Sequence, residues 1–338
     1  MFIVIEGTDA SGKTSLSEAV KHELETRQHG FPIQTFHKGR PLEETRRWVL
    51  KDYVTSIEDV DWTSCIAMSD RWHWGEITYA PLKRPHTNLD GYGLLSKAGW
   101  RWTELFLMSR GIAQFWLYQP LHVIQERINS RGDDFVNADE LETILGQYEL
   151  AAGQSCILEK LMPAANSLEQ VKDLALDIIN KAKDCSDSAS KLSQYPDYIG
   201  SPNPKVLLVG DVRNITAKHG EETILPFMPV DGNSGEYLLN SLPDDFWKTV
   251  GIINVNDVRH IGKTMYDLWI LLGRPNIIAL GRLASRGLER EGFSNDLFTT
   301  MPHPQYVRRF HNKDQQEYGT AIQRNAQNKP TEDRWILR

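Results

Sequence analysis

Short apolar runs bounded by turn residues recur through the first 180 residues, separated by stretches whose apolar positions fall three or four apart. The runs at 2–6 (FIVIE), 32–36, 65–69 and 113–118 predict strands, and residues 14–28, 102–109 and 121–129 predict helices. Strands alternating with helices imply a parallel sheet wrapped by helices. The pattern resumes more briefly after residue 205, with strands predicted at 206–209, 251–255 and 276–280 and helices at 265–272 and 284–291. Both halves therefore read as α/β. Residues 184–204 (DCSDSASKLSQYPDYIGSPNP) have neither period and have the composition of a linker. The segment before them repeats apolar residues at helical spacing and ends in lysines, as a last helix should. The expected division is a domain at 1–183, a linker at 184–204 and a second, smaller α/β domain at 205–338, with the boundary near residue 195.

A length of 338 residues fits two domains better than one. With 40% hydrophobic and 25% charged residues the chain has a globular composition, which excludes wholesale disorder. No apolar run approaches the roughly 18 residues of a membrane span, and the start, MFIVIEG, lacks the basic segment and cleavage site of a secretory signal. Three scattered cysteines make neither a disulfide framework nor a metal cluster, so a reducing cytoplasm is expected. The net charge of −7 is unevenly placed: residues 203–338 hold 17 Lys+Arg against 16 Asp+Glu, leaving 21 against 29 for residues 1–202. An acidic front half argues against broad nucleic-acid binding there, and a near-neutral back half permits a local basic groove.

The strongest chemical signal is GTDASGKT at residues 7–14, with the spacing G-x-x-x-x-G-K-[ST] between a strand and a helix. Glycines at 7 and 12 let the backbone N–H groups face phosphate oxygens, and the following helix adds the positive end of its dipole. The expected cradle for ATP is Gly7, Thr8, Asp9, Ala10, Ser11, Gly12, Lys13, Thr14 and Ser15. Lys13 would bridge the β- and γ-phosphates, and Thr14, with Asp70, would hold Mg²⁺. A three-layer P-loop NTPase fold follows for this half.

Over residues 1–180 the chain resembles thymidylate-kinase-like P-loop kinases. IVIEGTDASGKTS is similar to that family's first strand and loop, and the resemblance puts Asp9 near the acceptor's sugar hydroxyl. Asp70-Arg71 resembles the family's Asp-Arg motif, with Tyr79 keeping its aromatic. QERINSRGDDF at 125–135, followed by Tyr148, looks like the mobile lid, implying that Arg127 and Arg131 neutralise charge on the transferring phosphoryl group. The Arg-Glu-Pro-Gly-Gly run of bacterial thymidylate kinases is replaced by Phe36-His37-Lys38-Gly39-Arg40-Pro41, in which Lys38 or Arg40 is a candidate for an acceptor phosphate. Trp72 and Trp74 are candidates to stack on the acceptor base, or else packing residues. A monophosphate acceptor attacks with an ionised oxygen, whereas a hydroxyl must lose a proton, to which a carboxylate contributes about 10²–10⁴-fold. Asp9, Asp70 and Glu76 are the carboxylate candidates, and a hydroxyl acceptor is expected.

Residues 203–338 resemble the uracil-DNA glycosylase superfamily. KVLLVGDVRN, LPFMPVDGNSGEYLLNSL, GIINVNDV, NIIALGRLA and MPHPQYVRRF follow the order of that family's motifs. The resemblance implies that Asp211 sits at the water-activating position, Phe227 stacks on an extruded base, Asn254 reads its edge and His303 stabilises an oxyanion. Arg308, beside Arg309, would pin flanking phosphates. Val212-Arg213-Asn214 departs from the family, so DNA recognition without cleavage is one outcome. Together the halves resemble phage kinases that phosphorylate 5-hydroxymethyl-deoxyuridine in DNA during thymine hypermodification. The alternatives are a nucleotide-pool kinase of dTMP or a modified dUMP with a degenerate appendage, and a repair uracil-DNA glycosylase. The expected partners are a nucleotide or DNA-borne pyrimidine, with DNA held through residues 205–338 and no membrane.

Overall fold

The computed structural model describes the chain except for residues 28–31, 61–64, 89, 132–135, 138, 157, 162–167, 212–224, 231, 311–314 and 328–338, and the side chains of residues 131 and 168. It divides into two compact units: Met1–Ser96 with Arg110–Ser190, and Lys97–Ser109 with Lys191–Arg338.

In the first unit, strands β1 (Phe2–Glu6), β2 (Ile33–His37), β3 (Ile66–Asp70), β4 (Ala113–Leu117) and β5 (Glu159–Leu161) form one parallel sheet in the order β2-β3-β1-β4-β5. β1 and β4 are buried along their whole length, as expected of central parallel strands covered on both faces. Helices Lys13–Arg27 and Leu168–Ser190 pack on this sheet through Leu16, Val20, Leu24, Ala175, Ile178 and Ala182. Because β3 and β4 flank β1, their ends bring Asp70 and Leu117 beside the loop that leaves Glu6.

The second unit holds β6 (Ile199–Gly200), β7 (Val206–Gly210), β8 (Val250–Asn254), β9 (Asn276–Leu280) and β10 (Phe298–Met301) in the order β10-β9-β7-β8-β6, parallel except for β6. Its core combines β-branched strand residues with Trp269, Tyr198 and Phe293.

Two boundaries differ from the expectation. Helix Leu168–Ser190 runs through the first seven residues of the expected linker, because its Ser and Asp residues are tolerated on a solvent face, and β6 lies inside that linker too. Helix Ser96–Ser109 supplies residues 97–109 to the second unit rather than the first. The cause is polar: the buried Arg101 guanidinium donates to the carbonyls of Leu239 (2.5 Å) and Leu242 (2.6 Å) and pairs with Asp244, while Trp102 Nε1 donates to Pro226 O at 3.1 Å.

Candidate functional site

The loop after β1 turns tightly, with Ala10 at φ 59° and Gly12 at φ 98°, and runs straight into helix Lys13–Arg27. A left-handed φ at Gly12 is one that a side chain adopts only with strain. Lys13 is 6% exposed; its Nζ donates to Thr8 O at 2.7 Å and lies 3.9 Å from Asp70 Oδ1. Burial pushes its ammonium down to about 8, an effect that Arg71 reinforces and that Asp70, Asp9 and Glu6 oppose. The hydroxyls of Thr8 and Ser11 and Asp70 Oδ1 are buried without hydrogen-bond partners. Buried polar atoms are seldom left so, and around a loop of this shape they are the atoms that a phosphate and its metal would engage. Thr14 and Ser15 are exposed at the head of the same helix. The donor set thus fits Mg²⁺ held by Thr14 and Asp70 and phosphate oxygens held by the amides.

Beside the loop is a cavity of about 360 Å³, whose lining includes Gly12, Leu117, Gln119, Arg127, Val171 and Leu174. Its apolar walls with a few polar groups suit a nucleoside. Arg127, on helix Leu121–Arg131, donates to Ala10 O at 3.0 Å, so its guanidinium rests on the phosphate loop. The side chain of Arg131 lies outside the described residues. So do residues 132–135 of the expected lid.

Within the same loop, Asp9 pairs with the Arg71 guanidinium and accepts from Tyr79 Oη at 3.0 Å. Arg71 lies 5.1 Å from the Tyr79 ring, and its Nε is buried without a partner. Tyr148 Oη donates to Gly7 O at 2.7 Å, tying helix Leu141–Gln154 to the start of the loop.

Three expectations are corrected here. Glu76 does not face the phosphate loop as a free base: it is 2% exposed, accepts from Arg84 at 2.7 Å and from Leu94 N–H at 2.8 Å, and is spent on structure. Trp72 and Trp74, 1% and 0% exposed, are packed by Phe2 and Tyr53 and by Trp116 and Tyr148, which leaves them no face for a base. Lys38 is held by Asp52 (2.6 Å) and Ser56 (2.5 Å), so it is not at hand for an acceptor phosphate, whereas Arg40 pairs with Glu44 at the surface and is 71% exposed. In each case the sequence supplies the residue type, but its partner is distant or lies on an element that local pattern leaves undetermined.

In the second unit, the ring of Phe227, at φ 48°, and Asn254 Oδ1 meet over Gly210. A Cβ at Gly210 would lie 2.2 Å from Asn254 Oδ1 and 2.6 Å from the Phe227 ring, so only glycine fits. The His303 ring is 6.3 Å from that of Phe227, and burial holds its imidazole below the usual range. Asn254 Nδ2 donates to Asp257 at 2.9 Å, and Asn256 Nδ2 donates to Asp211 at 2.8 Å. Arg308 approaches Gly232. The structure thus gathers Phe227, Asn254 and His303 as the sequence groups them, and adds Asp257 and Asn256, which local pattern does not single out. Residues 212–214 lie outside the described residues.

No protein-family model matches the sequence, and no curated protein does. Several solved structures overlap about half of the chain. They include the YorR protein of Bacillus subtilis in complex with phosphorylated GDP (20% identity, 54% of this chain, 96% of that one, TM-score 0.40). Others are deoxyadenosine kinase from M. mycoides with bound dATP (15%, 53% and 100%, TM-score 0.37) and a gluconokinase from Sinorhizobium meliloti 1021 (19%, 54% and 93%, TM-score 0.30). Among the described residues no helix is long and apolar enough to cross a membrane.

Proposed function

We propose that the chain is an ATP-dependent phosphotransferase acting on a thymidine-like pyrimidine, and that its acceptor is the hydroxyl of 5-hydroxymethyl-deoxyuridine in phage DNA. The observation that carries the kinase reading is Lys13 Nζ held between Thr8 O and Asp70 Oδ1, beneath buried hydroxyls that lack partners. Mg²⁺ bound with ATP supplies charge neutralisation on the phosphates, with Thr14 and Asp70 to hold it. Lys13 and Arg127 place positive charge on the transferring group, which is where phosphoryl transfer needs it. The acceptor oxygen bonds to the γ-phosphorus as the β–γ bridging bond breaks and ADP leaves. The hydroxyl proton passes to a carboxylate. Glu76 is engaged by Arg84, and both oxygens of Asp9 are engaged by Arg71 and Tyr79, so the assignment falls on Oδ2 of Asp70, its Oδ1, on the Lys13 side, being the atom left for Mg²⁺.

The DNA-borne acceptor is favoured by the second unit, where Phe227 and Asn254 meet over Gly210 and the His303 ring lies 6.3 Å from that of Phe227, an arrangement that suits a base reader. A nucleotide-pool kinase is favoured by one observation only, the buried Nε of Arg71 with no partner, which a monophosphate would satisfy. Incubation with γ-labelled ATP and either hydroxymethyluracil DNA or dTMP separates the two: label on DNA is expected, and label on dTMP alone would favour the pool enzyme. Gly210→Ala is expected to raise the KM for the DNA acceptor at least about tenfold, equivalent to ~1.4 kcal/mol, while leaving the KM for ATP unchanged. Steady-state kinetics on both substrates checks this.

A further inference from the structure

Glu6 ends β1 and is the only acid in that strand. It is fully buried; its Oε1 accepts from the backbone N–H of Trp72 (2.8 Å) and of Trp74 (3.3 Å), and its Oε2 has no hydrogen-bond partner. Burial pushes its carboxyl up to about 7 against the opposing effects of His73, the two amides and Arg71. An acid kept where water cannot reach it is costly, and a purely apolar filler would pack there at less cost.

Its two bonds act on one short turn. Residues 71–74 join β3 to helix Gly75–Thr78, and Arg71 in that turn has φ 69°, a left-handed conformation that a long side chain rarely adopts and that persists only when its surroundings impose it. The surroundings here are explicit. Arg71 N–H donates to Ile5 O at 3.1 Å, Ser69 Oγ donates to Arg71 O at 2.6 Å, and Glu6 takes the amides one and three positions further on. The braced residue is the one whose guanidinium pairs with Asp9.

We propose that Glu6 is a positioning residue for the acceptor: by accepting the Trp72 and Trp74 amides it holds Arg71 in the left-handed conformation that aims its guanidinium across the phosphate loop at Asp9. Its consequence for acceptor affinity rests on the phosphotransferase reading above. Glutamine offers the same carbonyl reach to both amides, aspartate falls one methylene short and alanine offers nothing.

The test compares the full-length wild type with Glu6→Gln, Glu6→Asp and Glu6→Ala. Deuterium exchange at the Trp72 and Trp74 amides is measured alongside KM and kcat, using ATP and an oligodeoxynucleotide containing 5-hydroxymethyl-deoxyuridine. Glu6→Ala is expected to raise exchange at those amides and the acceptor KM by about tenfold each, with the ATP KM within about twofold of wild type. Glu6→Asp moves in the same direction and carries the test if the alanine variant does not fold. Glu6→Gln stays near wild type. Unchanged exchange in the alanine or aspartate variant, a glutamine variant as impaired as alanine, or an ATP KM that rises in step with the acceptor KM would each overturn the proposal. If the exchange pattern holds while wild type transfers no phosphate to the oligonucleotide, the bracing is upheld and the phosphotransferase reading is what fails.

Discussion

Lys13→Ala is expected to cut phosphoryl transfer by at least about 10²–10³-fold, the cost of removing one preorganised charge from a developing anion. The same substitution is expected to stabilise the unliganded fold. Burial holds the Lys13 ammonium at about 8, below its ordinary value, so between pH 8 and the ordinary lysine range the unfolded chain binds more protons than the folded one. Stability therefore rises with pH across that window, and below it the buried charge is a penalty of roughly 3 kcal/mol. Thermal melts at pH 7 and pH 10 measure both effects. The wild type should fall behind Lys13→Ala as the pH falls, and the two should converge as it rises. A protein that becomes more stable as it loses its activity has a charge placed for a ligand rather than for the fold.

The second large effect is expected at Arg84. Its guanidinium and Glu76 are 7% and 3% exposed and 2.7 Å apart, and Glu76 also holds the Leu94 amide. Removing one partner of such a pair leaves the other buried and uncompensated, so Arg84→Ala is expected to destabilise the protein by about 3–5 kcal/mol in urea unfolding. Glu76→Gln keeps an acceptor for only one of the two donors, because they meet different oxygens, and is expected to destabilise the fold as well. If Glu76 is structural, the glutamine variant that folds retains turnover within a few-fold of wild type. A loss of 10³-fold with an unchanged melt would return it to the role of base.

How far the sequence reaches is clearest around the phosphate loop. The strand at 2–6, the glycine spacing and the helix behind it are local features, and each one is set by a few adjacent residues. Asp70 is legible for the same reason, since the end of a strand beside β1 lands next to the loop in any parallel sheet of this order. What is not legible is pairing at a distance. Glu76 and Trp72 lie in the right segment, but their engagement depends on Arg84, Leu94 and Tyr53, the last on a helix (Arg46–Glu58) that the apolar pattern does not mark. The assignment of helix Ser96–Ser109 also turns on one buried arginine meeting carbonyls about 140 positions away, which no periodicity encodes. Glu6 is not legible either, since a single acid in a buried strand reads as the strand's polar end rather than as a brace.

The account stands on a triphosphate seated in the loop at residues 7–14, with the Lys13 ammonium on its terminal group. Calorimetric titration of Mg·ATP into wild type and Lys13→Ala tests this most directly. The expected result is saturable one-to-one binding by the wild type, weakened about 10²-fold or more in the variant, consistent with loss of a buried charge contact. Equal affinity in the two proteins, or no binding by the wild type, would contradict it.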